Sequence, residues 1–419
     1  MRAPTCTLFI LLKNTSVLIL VPDFYPTHSG AGYRFFRYLP ILHKNDIDVS
    51  VITGTPKSTK LSKQDLNADW RDKNYGDLVD EYEMSGAKIF KFRLPEKNAT
   101  RRKEILLERA IEHCKSHCKP DIVHIITPIP SSLVSRLSAL RQLGCKLVYS
   151  YTIVDDFPDN FFLRFLYKIK LLRSLKRYDV IIVPSAAVRE VVLEINADAT
   201  VKVIPNGVDS EKYHPVDKAG QLVVRDELKL PATATLLISV GAIHPRKGTH
   251  LLVAAWSKLV REYADLHVLL IGPRIDQAKS ELTSFSDSLE QAVDDSCMTE
   301  NVHFLGQADN VEKYLQASDI FVFPSKREGM PNAVLEAMSS GLPVLLTPFA
   351  GLCDEMGREG EHYLLATRTA DDLEAALRVL LENPVRRESL GHSARQWVVE
   401  TMNIHTCVQA YARLYKSIA

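Results

Sequence analysis

The stretch Phe321-Val-Phe-Pro-Ser325, running on through Lys326 and Arg327 into Glu328-Gly-Met-Pro-Asn-Ala-Val-Leu-Glu336-Ala-Met-Ser-Ser-Gly341-Leu-Pro343-Val, decides how this chain is built. Its first part is apolar and β-rich and breaks at Pro324. Residues Pro331 to Ser340 have helical character, with Gly341 as the stop, so Glu328 is expected in a strand-to-helix loop. Pro331 suits the first helical position. Met330 before it has no side-chain oxygen to cap the helix, which leaves amide N–H groups open to an anion such as a diphosphate. Glu336 then stands one turn into the helix. A carboxylate there cannot ligate phosphate, but it can accept hydrogen bonds from ribose hydroxyls, as Glu328 can from a hexose. Taken alone, the segment also fits an ordinary strand-to-helix loop with two surface acids.

Outward from this unit, short Val/Ile/Leu runs alternate with helical stretches, the pattern of parallel sheets covered on both faces. Strands are expected at Val17–Val21, Asp48–Thr53, Ala87–Phe92, Ile122–Ile126, Lys146–Ser150, Val180–Pro184 and Val201–Ile204. A second series is expected at Leu236–Val240, His267–Ile271, Val302–Leu305, Ile320–Phe323 and Pro343–Leu346. Between Gly207 and Gly220, Asn-Gly, Pro215 and charged residues replace apolar periodicity, which marks a boundary. The last segment, Val385 to Ala419, is helical in pattern.

Four segments in order resemble the signature of the family 4 retaining glycosyltransferases. They are Pro26-Thr-His-Ser-Gly30-Ala-Gly32, Val203-Ile-Pro-Asn-Gly207-Val-Asp209, Val240-Gly-Ala-Ile-His-Pro-Arg-Lys247-Gly248 and the run from Glu328 to Val344. The resemblance implies an α/β fold of two Rossmann-like, doubly wound parallel-sheet domains facing across a cleft (the GT-B type). Residues 1–15 are then an N-terminal extension, 16–208 an acceptor-binding domain, 209–395 a nucleotide-sugar-binding domain, and 396–419 a terminal helix that crosses back to the first domain.

The same resemblance implies the site. Donor contacts fall to Gly30, Gly32, Gly241, Arg246, Lys247, Glu328, Gly329, Met330, Pro331, Asn332 and Glu336, and catalytic roles to Glu328, Lys247 and His124. An ammonium at Lys247 can neutralise diphosphate charge as the nucleotide leaves. Gly30 and Gly32 let backbone approach phosphates, because glycine lacks a Cβ and tolerates positive φ. The chain also departs from the pattern. Ala242 stands where many relatives carry arginine, and Arg246 either replaces that arginine by turning inward or is a surface residue. Ile126 replaces a second histidine after His124, and Val148 to Asp156 contains none. His124 is therefore either a catalytic or sugar-contacting residue or a satisfied structural histidine, with Asp155, Asp156 and His28 as candidates to share its work.

Composition sets limits. Among 419 residues, 46% are hydrophobic and 25% charged, with a formal net charge of +1. That is ordinary for a globular protein of two or more domains and argues against a protein devoted to nucleic acid. Seven cysteines at irregular spacing predict no disulfide framework and a reducing, cytoplasmic setting. Thr7 to Leu12 is apolar but interrupted by Lys13-Asn14, too short to span a bilayer and without a small-residue cleavage site. An extra edge strand, a weak membrane contact and the product of an upstream start codon remain open for residues 1–14.

Two further patterns compete with bland explanations. His113, Cys114, His117 and Cys118 pair at helical spacing as zinc ligands do, but no second cluster matches, so an ordinary helix is preferred. Phe161 to Tyr178 carries Arg164, Lys168, Lys170, Arg173, Lys176 and Arg177, no acid, and apolar residues at 162, 165, 166, 169, 172 and 175. Such a helix either lies on anionic lipid as a peripheral contact or turns that face to its own sheet. The expectation is thus a retaining transferase moving a hexose-type sugar from a nucleoside-diphosphate sugar, UDP-linked before GDP- or ADP-linked, to a sugar, glycolipid or small-molecule acceptor. No cofactor, metal or nucleic acid takes part. The rivals are a weakly active sugar-nucleotide-binding protein on the same fold and a nucleotide-sugar epimerase or phosphorylase.

Overall fold

The computed structural model describes residues 14–25, 30–54, 76–95, 98–116, 119–152, 157–158, 160–273, 280–294 and 298–419. In the first half, strands β1 (Thr15–Leu20), β2 (Ile47–Gly54), β3 (Leu78–Met84), β4 (Ala87–Phe92), β5 (Ile122–Ile125), β6 (Lys146–Ser150), β7 (Val180–Val183) and β8 (Val201–Val203) form one sheet, in the order β3-β4-β2-β1-β5-β6-β7-β8. Helices α1 (Gly30–Lys44), α2 (Ala99–Ser116), α3 (Leu137–Gln142), α4 (Phe161–Leu175) and α5 (Ala186–Ile195) lie between its strands in sequence. In the second half, β9 (Thr235–Val240), β10 (Leu266–Ile271), β11 (Val302–Gly306), β12 (Ile320–Phe323), β13 (Val344–Leu346) and β14 (Leu364–Leu365) take the order β11-β10-β9-β12-β13-β14. Helices α6 (Lys218–Glu227), α7 (Thr249–Leu259), α8 (Ser280–Asp294), α9 (Val311–Ala317), α10 (Asn332–Ser339), α11 (Ala370–Glu382), α12 (Pro384–Thr401) and α13 (Ile404–Ile418) complete the chain.

Every pairing is parallel except β3 with β4. Strands such as β5, β7 and β12 are buried along their whole length, as a sheet covered on both faces requires. Both sheets read from the sequence are therefore present, with strand ends within about two residues of expectation. Two strands were not expected. Leu78–Met84 is an acidic, largely exposed edge strand that turns into β4 through Ser85 and Gly86, both at positive φ (52° and 77°). The other, Leu364–Leu365, is only two residues long. Strand β1 also starts at Thr15, inside the stretch expected to be an extension.

The end of the chain joins the first half. Ile404, Val408, Tyr411, Ala412, Leu414 and Tyr415 of α13 share one core with Val17, Ile19, Phe35 and Tyr38. Each fully buried apolar side chain there contributes roughly 1.5–3 kcal/mol. The crossing falls later than residue 396, because Ala394, Val398 and Met402 still pack in a core of the second sheet.

Candidate active site

Helix α10 shows how sequence builds one wall of the site. Val334, Leu335, Ala337 and Met338 are buried against the second sheet, which leaves Glu336 on the opposite side. The helix ends in a Schellman motif: Gly341 N–H donates to the Met338 carbonyl (3.0 Å) and Leu342 N–H to that of Ala337 (3.1 Å), with Gly341 at φ 76°. At its start, Pro331 is the N-cap rather than the first helical residue (φ −76°, ψ 115°), and no side chain caps the helix. Prolyl φ suits either position, so the one-residue shift leaves the N–H groups of Asn332 and Ala333 available as expected.

A second wall comes from the turn after β9. His244 Nδ1 accepts from the Arg246 N–H (3.0 Å) and caps a short 3-10 turn over Pro245–Lys247. Burial, with Arg246 and Lys247 nearby, holds its imidazole pKa down, which suits that accepting role. Gly248 follows at φ 74°, and a Cβ there would stand 2.2 Å from the Pro324 carbonyl oxygen, so the β9 and β12 loops touch backbone to backbone. Lys326 N–H donates to the Arg246 carbonyl at 2.9 Å and fixes the two loops further.

Glu328 is the meeting point. Its Oε1 accepts from Arg246 Nη1 (2.7 Å), Lys247 Nζ (2.8 Å) and Ser325 Oγ (2.7 Å). Arg246 is thus turned inward, but onto Glu328 and the Arg327 carbonyl, and it does not line the cavity. Lys247 does line it, with its Nζ 5.0 Å from the centre of the Phe323 ring. Burial lowers the lysine pKa, an effect that the Glu328 carboxylate works against.

The cavity itself measures about 800 Å³ and takes its walls from both halves. Gly30, Arg34 and Thr152 come from the first, and Gly241, Lys247, Glu328, Met330, Pro331, Asn332 and Glu336 from the second. Burial raises the Glu336 carboxyl pKa although Arg37 and a hydrogen bond with Tyr213 oppose it. Gly329 is buried in the loop and is not part of the wall. Gly30 and Gly32 lie inside α1 rather than in a loop, and Gly32 is buried there. Gly30 nonetheless leaves open space, since a Cβ would meet nothing within 4 Å.

His124 is not brought to this site. It lies on β5, wholly buried, with Nδ1 2.6 Å from the Tyr415 hydroxyl and Nε2 2.8 Å from Ser150 Oγ. Both ring nitrogens are engaged, and burial pushes its pKa down to about 3. His124 is thus placed as the structural alternative has it, with both ring nitrogens engaged and outside the cavity wall. His28, Asp155 and Asp156 lie outside the described residues. Of the paired-ligand pattern at residues 113–118, the described members are engaged elsewhere: the free Cys114 thiol hydrogen-bonds with Cys145, and the His113 ring packs 4.8 Å from that of Phe90. Residues 117 and 118 are outside the described set.

Sequence reasoning missed the residues that bind the two halves together at the cavity. Asn206 donates from Nδ2 to the Met330 carbonyl and to Asn332 Oδ1, both at 2.9 Å, and accepts from Arg34 Nη1. Arg37 pairs with Asp209 at 2.9 Å, and Lys212 Nζ donates to the Tyr33 hydroxyl at 3.4 Å. Asn206 sits within the segment already singled out. The arginines carried only a weak signal: two guanidiniums, at 34 and 37, on a helix whose other basic residues, His43 and Lys44, lie in its last turn.

Two parallel α/β sheets with a cavity between them, walled by the open end of a helix and a lysine–glutamate pair, define a protein of the GT-B type. Residues 29–212 match the family described as Glycosyltransferase Family 4, and residues 222–397 match Glycosyl transferases group 1. The chain belongs to the family 4 glycosyltransferases. It is 28% identical over 287 residues to the sulfoquinovosyl transferase SQD2 of Arabidopsis thaliana, covering 66% of this chain and 53% of that protein. It is 32% identical over 219 residues to the D-inositol 3-phosphate glycosyltransferase of Kineococcus radiotolerans, covering 49% of each. The chain thus spans about half the length of these two relatives. Among solved structures, the sucrose-phosphate synthase of Thermosynechococcus elongatus superimposes with a TM-score of 0.76 at 19% identity, covering 97% of this chain and 99% of that one. The Anabaena protein HepE, in complex with UDP and glucose, gives 0.72 at 16% identity over 96% and 100%.

Proposed function

We propose that the protein moves a hexose-type sugar from a nucleoside-diphosphate sugar, UDP-linked before GDP- or ADP-linked, to an acceptor hydroxyl with retention of anomeric configuration. The observation that carries this reading is one cavity in which Lys247, held by Glu328, lies with the uncapped start of α10 and with Glu336 one turn along it. As the bond from sugar to diphosphate breaks, negative charge grows on the leaving group. Lys247 and the α10 amides stabilise that charge in a site already arranged for it, without a bound metal or cofactor. The departing diphosphate helps to deprotonate the acceptor hydroxyl on the same face. Glu328 positions Lys247 and accepts from the sugar hydroxyls, and Glu336 from the ribose. Residues 16–208 serve the acceptor, 209–395 the donor, and the end of the chain ties them. HepE of like fold was solved with UDP and glucose, which supports the choice of donor.

The test is a thermal-shift screen of nucleotide sugars followed by a product assay with the best binder. Lys247→Ala is expected to lower the rate by roughly 10²-fold or more with little loss of stability. Wild-type rates in both Lys247→Ala and Glu328→Ala would overturn the reading.

We further propose that the protein is cytoplasmic and docks on anionic membrane through α4. Phe161, Phe162 and Phe165 are 84%, 64% and 54% exposed, beside six cationic residues and no acid between Phe161 and Tyr178. Aromatic side chains exposed next to lysine and arginine match the apolar boundary and the anionic headgroups together. No described helix is long and apolar enough to cross a membrane, and the contact proposed is a peripheral one. Co-sedimentation with anionic vesicles should weaken as salt rises and be lost in Lys168→Glu/Arg173→Glu. Absent or salt-independent binding would refute it.

A further inference from the structure

We propose that Arg34 is a phosphoryl ligand: its guanidinium grips the diphosphate of the donor from the first half of the protein and supplies the cation that Ala242 lacks. This rests on the donor site described above. Arg34 is only 6% exposed, yet it lines the cavity. Its Nη1 donates to Asn206 Oδ1, while Nε and Nη2 are buried and, among the described residues, have no hydrogen-bond partner. No described carboxylate pairs with it. A buried guanidinium with two free donors is costly unless an anion completes it, and a turn of the side chain toward the cavity would bring the fork formed by Nε and Nη2, closed off as it stands, onto two oxygens of a phosphoryl group.

Position and chemistry agree. Asn206 links this guanidinium to the Met330 carbonyl and to Asn332 Oδ1, so Arg34 is two hydrogen bonds from the open end of α10. An anion on the Asn332 and Ala333 amides would meet a cation already oriented by the same asparagine. Gly30 stands one helical turn before Arg34 on the same face of α1, and its missing Cβ leaves that approach clear. Arg246, the other candidate for the missing cation, spends its Nη1 on Glu328 and the Arg327 carbonyl outside the cavity wall. The charge absent at Ala242 of one half is thus made good from the other, and one ligand then holds both.

The experiment compares binding of UDP, uridine and inorganic pyrophosphate to wild type, Arg34→Gln and Arg34→Lys by calorimetry, with thermal unfolding as the check on folding. Glutamine keeps a donor for Asn206 but loses the charge and the fork. Arg34→Gln is expected to weaken UDP and pyrophosphate by about 10- to 100-fold and to leave uridine unchanged, with Arg34→Lys recovering part of the loss. A merely structural Arg34 would weaken UDP and uridine alike, and that result overturns the proposal. So does UDP affinity equal to wild type, including the case in which only the KM of the acceptor rises, which would assign the phosphoryl group to the acceptor. Should wild type bind none of UDP, GDP and ADP, the donor site itself fails and this inference with it, an outcome distinct from a selective effect of Arg34. If Arg34→Gln does not fold, the Arg34→Lys comparison of UDP with uridine decides on the same criterion.

Discussion

An imidazole closed into a core with both nitrogens bonded is committed to its neutral form, and His124 illustrates what that does to stability. Its folded pKa lies at about 3, below the ordinary value of 6.5, because burial disfavours the cation. A depressed pKa contributes stability above 6.5 that drains away as pH falls toward 3. His124→Gln, whose amide can serve Tyr415 and Ser150, should therefore lose roughly 3 kcal/mol less than wild type between pH 7 and pH 4 in urea melts. Its transfer rate at pH 7 should match wild type, and a collapse of that rate with stability intact would restore a catalytic role. Nothing near residue 124 foretells this environment. The Tyr415 hydroxyl is 291 positions away, and only the folded sheet brings α13 across β5. Glu328 was legible for the opposite reason, since strand, loop and helix are contiguous and its partners Ser325, Lys247 and Arg246 belong to two local motifs.

At the scale of elements, legibility follows burial pattern. Strands closed on both faces announce themselves as apolar runs, whereas β3, with Asp80, Glu81 and Glu83 at the sheet edge, carries the charge that protects an edge and hides a strand. Helix α4 shows a mixed case. The sequence offered one apolar face from 162 to 175, but the structure divides it: Leu172 and Leu175 pack on the first core, while Phe162 and Phe165 are exposed. Asn160 caps the helix start by accepting from Leu163 N–H at 3.1 Å, and Phe157 packs edge-on to Tyr167 (5.7 Å), so a cap and one aromatic contact order the exposed turns. Leu175→Ala should cost roughly 2–5 kcal/mol, whereas Phe165→Ser should change stability by about 0.5 kcal/mol or less. Chemical denaturation of both variants measures the contrast, and an equal loss would mean that the exposed end is held by the fold after all.

For the whole molecule, function depends on how two halves meet. The chain crosses between them twice, and the crossings are bonded to each other: Val208 N–H donates to the Met402 carbonyl (2.8 Å) and Ile404 N–H to that of Val208 (3.0 Å). Gly207 is pressed into this joint, since a Cβ there would lie 2.5 Å from Ile404 Cα. A further tie, Ala186 N–H to Glu355 Oε1 at 2.9 Å, joins α5 to the second half. Two adjacent crossings suit a hinge, and on the proposed donor reading a ligand held by Lys247 from one half and Arg34 from the other would supply the differential contact that favours closure about it. Small-angle scattering should show a smaller radius of gyration with UDP than without. Gly207→Ala should lower stability by roughly 1–3 kcal/mol through the forced shift at the joint and blunt that compaction. An unchanged radius of gyration in wild-type protein saturated with UDP would mean that the cavity is already in its binding geometry, with Arg34 and Lys247 set at their working separation before the ligand arrives.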